Sequence, residues 1–199
     1  MLQAFVFNEI AVVVRHWFEI GADDEEHGAR IEVRRLVSHE HRGSESAPQL
    51  IEIDEIIWRA DLFDTLSEPP GNFSRAHHHA QFEGIEPVDR DWDDALSADP
   101  FGWLERQLDA LPELLAARGA DLQDVEGEAD DVRRNLPAIM SAARRCAATD
   151  CTTPRQCANQ TRDASEIVAM QASLFRGESA FDPRDARAAD VDDPGSRSV

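Results

Sequence analysis

The chain contains no lysine, so arginine supplies every basic side chain, and 20 basic residues stand against 40 acidic ones. The formal charge of −20 on 199 residues predicts a surface dominated by carboxylates. Such a surface repels nucleic-acid phosphates and anionic membrane faces, and counterion release cannot drive binding to either. We therefore expect neither nucleic acid nor a membrane as a partner. The composition is typical of a protein kept soluble in concentrated salt or encoded by a GC-rich genome.

The sequence also lacks an apolar run long enough to cross a bilayer. Residues 1–9 have no basic segment, and Glu9 interrupts their apolar run, so we predict no signal peptide. Three cysteines are an odd number for a disulfide framework and indicate a reducing compartment. These features predict a cytoplasmic protein.

Alternation of apolar and polar residues predicts β-strands in the first third of the chain. Strands are predicted over 2–7, 10–20, 30–37 and 50–63, with a charged turn over 21–28. Residues 8–9 predict a hairpin, and a change of phase at residues 54–55 predicts a bend in the last strand. Three or four short strands with brief connections favour an antiparallel sheet.

The second half of the chain is predicted to be helical. Asp99 and Pro100 form an N-cap and first-turn pair, Pro112 should kink or split the helix that follows, and Gly119 should end it. Asn135 could cap a second helix, and residues 165–176 predict a third.

Together these patterns predict an α+β fold, with an N-terminal antiparallel sheet packed against C-terminal helices. We expect a single domain over 1–176, made of a sheet (1–66), a long loop (67–98) and helices (99–176), followed by a disordered acidic tail (177–199).

The predicted long loop carries a histidine triplet, His77 to His79. In an extended segment His77 and His79 point to the same side, and Glu83 could return a carboxylate. This N,N,O set suits a divalent transition metal such as zinc, iron, manganese or nickel. The spacing Gly-x5-His-x-His-x3-Glu from Gly71 resembles the first motif of the cupin family of metal-binding β-barrels, which implies His77, His79 and Glu83 as metal ligands. The alternative is a solvated, loop-borne histidine run.

The resemblance to cupins covers only 13 residues, from Gly71 to Glu83. The family has a glycine seven positions after the glutamate, where this chain has Arg90, and no histidine follows His79. The predicted helices leave too few strands to close a barrel. We therefore expect a His-x-His-Glu site without the cupin fold.

Residues 56–66 resemble the first motif of the haloacid dehalogenase superfamily, which implies Asp61 as a nucleophile at the end of a buried strand. Phe63 stands where phosphatases of that family have an acid/base aspartate, and the chain has no lysine to accompany the nucleophile. From the residues themselves, we expect Asp61 and Asp64 to face solvent or to cap the following loop. They could serve as outer-shell partners of His77 or His79 if that loop folds back.

The cysteines do not follow the paired Cys-x2-Cys spacing of structural zinc. Cys146 lies on a predicted apolar helix face, where a free thiol packs as a small hydrophobe. Cys151 and Cys157 lie in a polar stretch, where a disulfide or a zinc site shared with the histidines is an open alternative. His16 is predicted to be a core histidine rather than a catalyst.

Residues 99–104, Asp-Pro-Phe-Gly-Trp-Leu, follow the histidine triplet, and this order is similar to that of small uncharacterised α+β proteins of high-GC bacteria. That resemblance implies no activity. Two functions stay open: a non-enzymatic intracellular protein that binds a basic or hydrophobic protein partner, and a metal-binding protein or metal-dependent enzyme that uses His77, His79 and Glu83. The first is preferred on composition.

Overall fold

The computed structural model describes residues 1–20, 25–39, 51–68 and 71–149. The predicted helix over 165–176, the cysteines Cys151 and Cys157, and the predicted tail over 177–199 all lie outside the described residues.

The N-terminal part of the chain forms a five-stranded antiparallel sheet in the order β1-β2-β3-β4-β5. Its strands are β1 (Leu2–Val6), β2 (Ile10–Ile20), β3 (Glu25–Ser38), β4 (Ile51–Thr65) and β5 (His77–His79). A separate two-stranded hairpin joins β6 (Phe82–Glu83) to β7 (Glu86–Pro87). The predicted antiparallel sheet is confirmed, with one strand more than the three or four expected.

The additional strand β5 and the longer β3 form through pairing with neighbouring strands, which the sequence of each segment alone does not indicate. β3 begins at Glu25 and pairs with the end of β2, Glu25 opposite Ile20, so the charged turn predicted over 21–28 is wrong from Glu25 onward. β5 lies inside the segment predicted as loop and forms because its three residues pair with β4. The predicted bend at residues 54–55 is confirmed, because the β3–β4 register shifts there.

Up to residue 149, where the described part of the chain ends, four helices follow the sheet: α1 (Asp94–Ala98), α2 (Pro100–Asp109), α3 (Leu111–Ala117) and α4 (Val125–Ala147). Asp99 caps α2 as predicted, accepting a hydrogen bond from the Gly102 amide, and the chain divides at Ala110, just before Pro112. None of the helices in the described ranges combines the length and the apolar character that crossing a membrane requires.

The start of the longest helix differs from the prediction. α4 begins at Val125 rather than at Asn135, because the Asp124 side chain accepts a hydrogen bond from the Gly127 amide and caps it there. Buried Ala129 and Val132 extend the apolar stripe to this new start. The poorly patterned acidic stretch before residue 135 is therefore an amphipathic helix with an acidic outer face.

The two faces of the sheet differ in chemistry. One face packs against the helices and supplies the main core, with Ile10, Val12, Val14, Ala29, Ile31, Val33, Trp58, Ala60 and Leu62. The opposite face has a small apolar cluster of Ala11, Val13 and Leu36. Next to it lies a set of ion pairs, which we call the charged face, formed by Arg15, Glu19, Glu26, Arg30, Glu32, Arg34, Arg59, Asp61, Arg75 and Arg90.

Candidate metal centre

Strand β5 places two histidines on the charged face. His77 pairs with Asp61 and His79 with Arg59, and alternation along the strand sends both side chains to the same side. His78 points the other way and stacks on Trp103, with 5.2 Å between ring centroids. The same-side geometry expected for His77 and His79 is thus present, on a strand rather than on a loop.

The two imidazoles converge on one carboxylate oxygen. Oδ2 of Asp61 lies 3.5 Å from Nε2 of His77 and 3.3 Å from Nε2 of His79, and ligand atoms of all three residues fall within 4.8 Å of one another. Ligands about 2.0–2.2 Å from a tetrahedral zinc ion stand about 3.3–3.6 Å apart along each edge. Both histidine–aspartate distances match that edge.

The outer nitrogens of both rings are occupied by backbone carbonyls. Nδ1 of His77 lies 2.7 Å from the carbonyl oxygen of Arg75, and Nδ1 of His79 lies 2.5 Å from that of Asp89. Because a carbonyl oxygen only accepts, each Nδ1 must carry the proton. This arrangement fixes the tautomer and directs the Nε2 lone pair inward, as in histidines that bind metals.

The Nε2 atom of His77 has no proton to share with Asp61 while the His77 ring is neutral. Burial lowers the pKa of His77 to about 4, so its ring is neutral at pH 7. Within the described residues, neither Nε2 has a hydrogen-bond partner, although His77 is 1% and His79 2% exposed. The Nε2 lone pair of His77 therefore faces a carboxylate oxygen in a dry environment, an unfavourable arrangement that a cation would relieve.

Asp61 is ionised and fixed in place by two arginines. Burial would raise the pKa of this fully buried carboxyl group, but the Arg30 guanidinium beside it, then the close His79 ring and Arg59, hold that pKa well below its usual range. Arg30 donates Nε to Oδ1 at 2.7 Å and Nη2 to Oδ2 at 3.0 Å. A carboxylate has about four lone-pair sites, and this fork takes one on each oxygen. Nε of Arg59 lies 3.2 Å from Oδ2 without forming a hydrogen bond, so Oδ2 keeps a site that faces the histidines.

The structure places the remaining predicted residues elsewhere. Glu83 is exposed in β6, opposite Glu86, and does not belong to the group that could hold a metal ion. Asp61 is the third candidate ligand beside His77 and His79, the role expected for Glu83. Asp64 caps the loop after β4, as predicted, by accepting hydrogen bonds from the amides of Gly71 and Phe73.

Asp61 was expected to face solvent or to act as an outer partner, and instead it lies at the centre of the group with 0% exposure. The sequence places Asp61 between Ala60 and Leu62, inside an apolar strand, and this position could have indicated that its carboxylate is buried. A buried carboxylate requires charged or hydrogen-bonding partners. Aromatic rings enclose the histidines: Trp92 lies 5.2 Å from His77 and Phe82 6.3 Å from His79, between ring centroids.

Comparisons of the chain with protein-family models, with curated proteins and with solved structures give no match. The local resemblances to cupins and to small proteins of high-GC bacteria stay predictions. The functional argument is therefore carried by the geometry of the site itself.

Proposed function

We propose that the protein binds a divalent transition-metal ion through Oδ2 of Asp61 and Nε2 of His77 and His79. The observation that carries this proposal is the convergence of three buried electron-pair donors, with the protons of both rings directed away to backbone carbonyls. A single cation would satisfy all three donors at once.

The donor set favours zinc among the candidate ions. Two imidazoles and one carboxylate also suit iron, manganese and nickel, but the two histidine–aspartate separations of 3.3 Å and 3.5 Å fit a tetrahedral edge better than the edge of about 3.0 Å in an octahedron of similar bond length. The three ligand atoms spread over 4.8 Å, so the histidine pair would have to close on the ion. Three protein ligands leave a fourth position for water or substrate, which is the pattern of catalytic rather than structural zinc. A metal-dependent hydrolytic enzyme is accordingly the activity that this centre would support.

Arg30 and Arg59 set the expected strength of binding. Both guanidiniums contact Asp61 and repel an incoming metal ion. We therefore expect a weaker metal affinity than in a site whose carboxylate has no cationic partner. The same charges would favour an anionic fourth ligand, such as hydroxide, once a metal is bound.

Metal analysis of protein purified without an affinity tag tests the proposal. We expect close to one equivalent of metal per chain, or uptake of one equivalent of Zn²⁺ or Co²⁺ after treatment with chelator, with the visible bands of tetrahedral cobalt. Replacement of a ligand in His79→Ala should weaken metal affinity at least about 100-fold, more than loss of an outer-shell partner does.

His78→Ala is the matched control, because His78 belongs to the same triplet but stacks on Trp103 at the other face of the sheet. It should keep full metal binding. Absence of any uptake by the folded wild-type chain, or equal loss in the His78 and His79 variants, would reject the metal centre. Binding of a basic or hydrophobic protein partner stays a prediction from composition and now takes second place.

A further inference from the structure

A groove of about 720 Å³ opens on the charged face, between strands β2 to β4 and the β6–β7 hairpin. Arg15, Arg30, Arg34 and Arg59 contribute to its lining, and Trp17, Ile56, Ile85 and Pro87 add apolar surface. Its size is that of small-molecule sites, which combine apolar walls with a few polar groups.

Arg59 has unused hydrogen-bonding capacity in this groove. Arg59 is 6% exposed. Within the described part of the chain, its Nε lies 3.2 Å from Oδ2 of Asp61, and its guanidinium carbon lies 5.6 Å from the centroid of the Phe82 ring. The Nη groups make no hydrogen bond to any described residue, although a guanidinium carries five donors. Nε is the Arg59 atom that is buried without a hydrogen-bond partner, and the Nη groups are available to a ligand that enters the groove.

The neighbouring arginines are already paired. Arg15 and Arg34 both bind Glu32, and Arg30 binds Asp61 and Glu19. Arg75 and Arg90 bind Glu26, and Arg90 also reaches Glu19. These pairs hold the groove in shape. Arg59 also has an ion-pair partner, Asp61, but the contact uses Nε and leaves both Nη groups able to receive an incoming anion.

The charged face is locally positive on a strongly negative protein. Six guanidiniums, from Arg15, Arg30, Arg34, Arg59, Arg75 and Arg90, contact four carboxylates, from Glu19, Glu26, Glu32 and Asp61. Glu86 adds one exposed carboxylate at the rim of the groove, so one positive charge remains in excess. The groove lining itself holds four arginines and three glutamates, so an anion meets less repulsion there than over the rest of a chain with a formal charge of −20.

We propose that this groove binds a small organic carboxylate, with its oxygens on the Nη donors of Arg59 and its apolar part against Ile85 and Pro87. A guanidinium and a carboxylate match in plane and spacing and pair through two parallel hydrogen bonds. The proposal does not depend on a bound metal, because Arg59 and the hairpin are present in the protein without one.

Benzoate is a suitable probe, with benzyl alcohol as its uncharged counterpart, titrated by calorimetry into chelator-treated protein. We expect saturable binding of benzoate and at least tenfold weaker binding of benzyl alcohol. Arg59→Met keeps the apolar stem and removes the charge, and it should weaken benzoate binding at least tenfold. Arg106→Met, at an exposed arginine of α2, should leave binding unchanged.

A second pair of variants keeps the test decisive if Arg59→Met does not fold. Ile85 is 69% exposed and lines the groove, whereas Val88 is 48% exposed and lies outside it, close to the same hairpin. Ile85→Glu should weaken benzoate binding by repulsion, and Val88→Glu should not. Failure of benzoate to bind, equal binding of both probes, or equal effects of the two glutamates would overturn the groove site. Binding of benzoate only to metal-loaded protein would also overturn it, since the anion would then be a metal ligand.

Discussion

Gly28 shows how one residue shapes the charged face. It lies in β3 with a φ of +152°, and a Cβ atom at this position would stand 2.1 Å from the carbonyl oxygen of Leu62 in the neighbouring strand. Its strand partners are Trp17 and Phe63. Because Gly28 has no side chain, the space between these rings receives the Arg30 guanidinium, 4.4 Å from Trp17 and 5.4 Å from Phe63.

We expect Gly28→Ala to lower the free energy of unfolding by at least about 2 kcal/mol, because both the backbone angle and the close approach of β4 oppose a side chain. Urea unfolding measures the loss. Gly84→Ala is the control: its φ of +65° lies in the left-handed region, which alanine enters at moderate cost, and nothing lies within 4 Å of the added atom, so it should cost about 1–2 kcal/mol. A Gly28 variant as stable as the wild type would contradict the steric argument.

The ionisation of His16 makes the stability of the protein depend on pH. It is 0% exposed in the main core, and its pKa is lowered to about 4 by burial first, and then by His27 and the terminal ammonium. Between pH 6.5 and 4 the unfolded chain binds a proton that the folded chain does not, so stability falls as the pH decreases through this window.

Replacing His16 by leucine removes this proton uptake, and the comparison of the two proteins isolates the effect. From pH 7 to pH 5 the wild type should lose roughly 2 kcal/mol more of its unfolding free energy than His16→Leu does. Denaturant unfolding at both pH values gives the two differences. Parallel losses in the two proteins would show that His16 titrates normally in the folded state.

At the scale of elements, a reciprocal pair of glutamates joins the β1–β2 turn to the start of α4. Oε1 of Glu128, in the first turn of α4, accepts hydrogen bonds from the amides of Asn8 and Glu9 at 3.1 and 2.9 Å. The Glu9 carboxylate accepts in return from the amides of Gln123 and Asp124 at 2.9 and 3.0 Å. Each element thereby satisfies backbone donors of the other, which sets where α4 lies on the sheet.

Glu128→Ala should destabilise the protein by roughly 2–4 kcal/mol, because two turn amides lose the acceptor that satisfies them. Thermal and urea unfolding provide the measurement. Glu126→Ala removes an exposed carboxylate from the same helical turn and should change stability by less than about 1 kcal/mol. If both variants lose the same small amount, the link between turn and helix does not contribute to stability.

At the scale of the whole molecule, charge is unevenly distributed. The formal charge of −20 repels itself over the surface, while the charged face holds more cations than anions and is largely buried. Added salt screens exposed charges strongly, since the Debye length falls from about 10 Å at 0.1 M to about 3 Å at 1 M, and screens buried pairs much less.

We therefore expect the melting temperature to rise from 0.1 M to 1 M sodium chloride at neutral pH, by roughly 2–4 °C for each kcal/mol of repulsion removed. Calorimetry or circular dichroism measures the shift. The response should disappear near the isoelectric point, where repulsion is minimal. A melting temperature that stays flat or falls at neutral pH would contradict surface repulsion as the dominant long-range term.

Sequence reasoning predicted the elements that have a strong local signal. Strands β1, β2 and β4 follow from alternation, Asp99 and Pro100 mark the start of α2, and the break before Pro112 follows from the geometry of proline. It missed β5, β6, β7 and α1, all inside the segment predicted as a loop over 67–98, and the first ten residues of α4, because these short or acidic stretches show no period of their own. Pairing with β4 decides β5, and capping by Asp124 decides the start of α4.

The candidate site was likewise predictable only in part. Sequence alone was enough to place His77 and His79 on the same side of an extended segment, because alternation is a property of the extended backbone. Their third partner depends on the folded sheet: antiparallel pairing brings Asp61 opposite His77, whereas Glu83 lies in a hairpin outside the group. Partners distant along the chain meet through strand register, and register is set by the packing of the whole sheet.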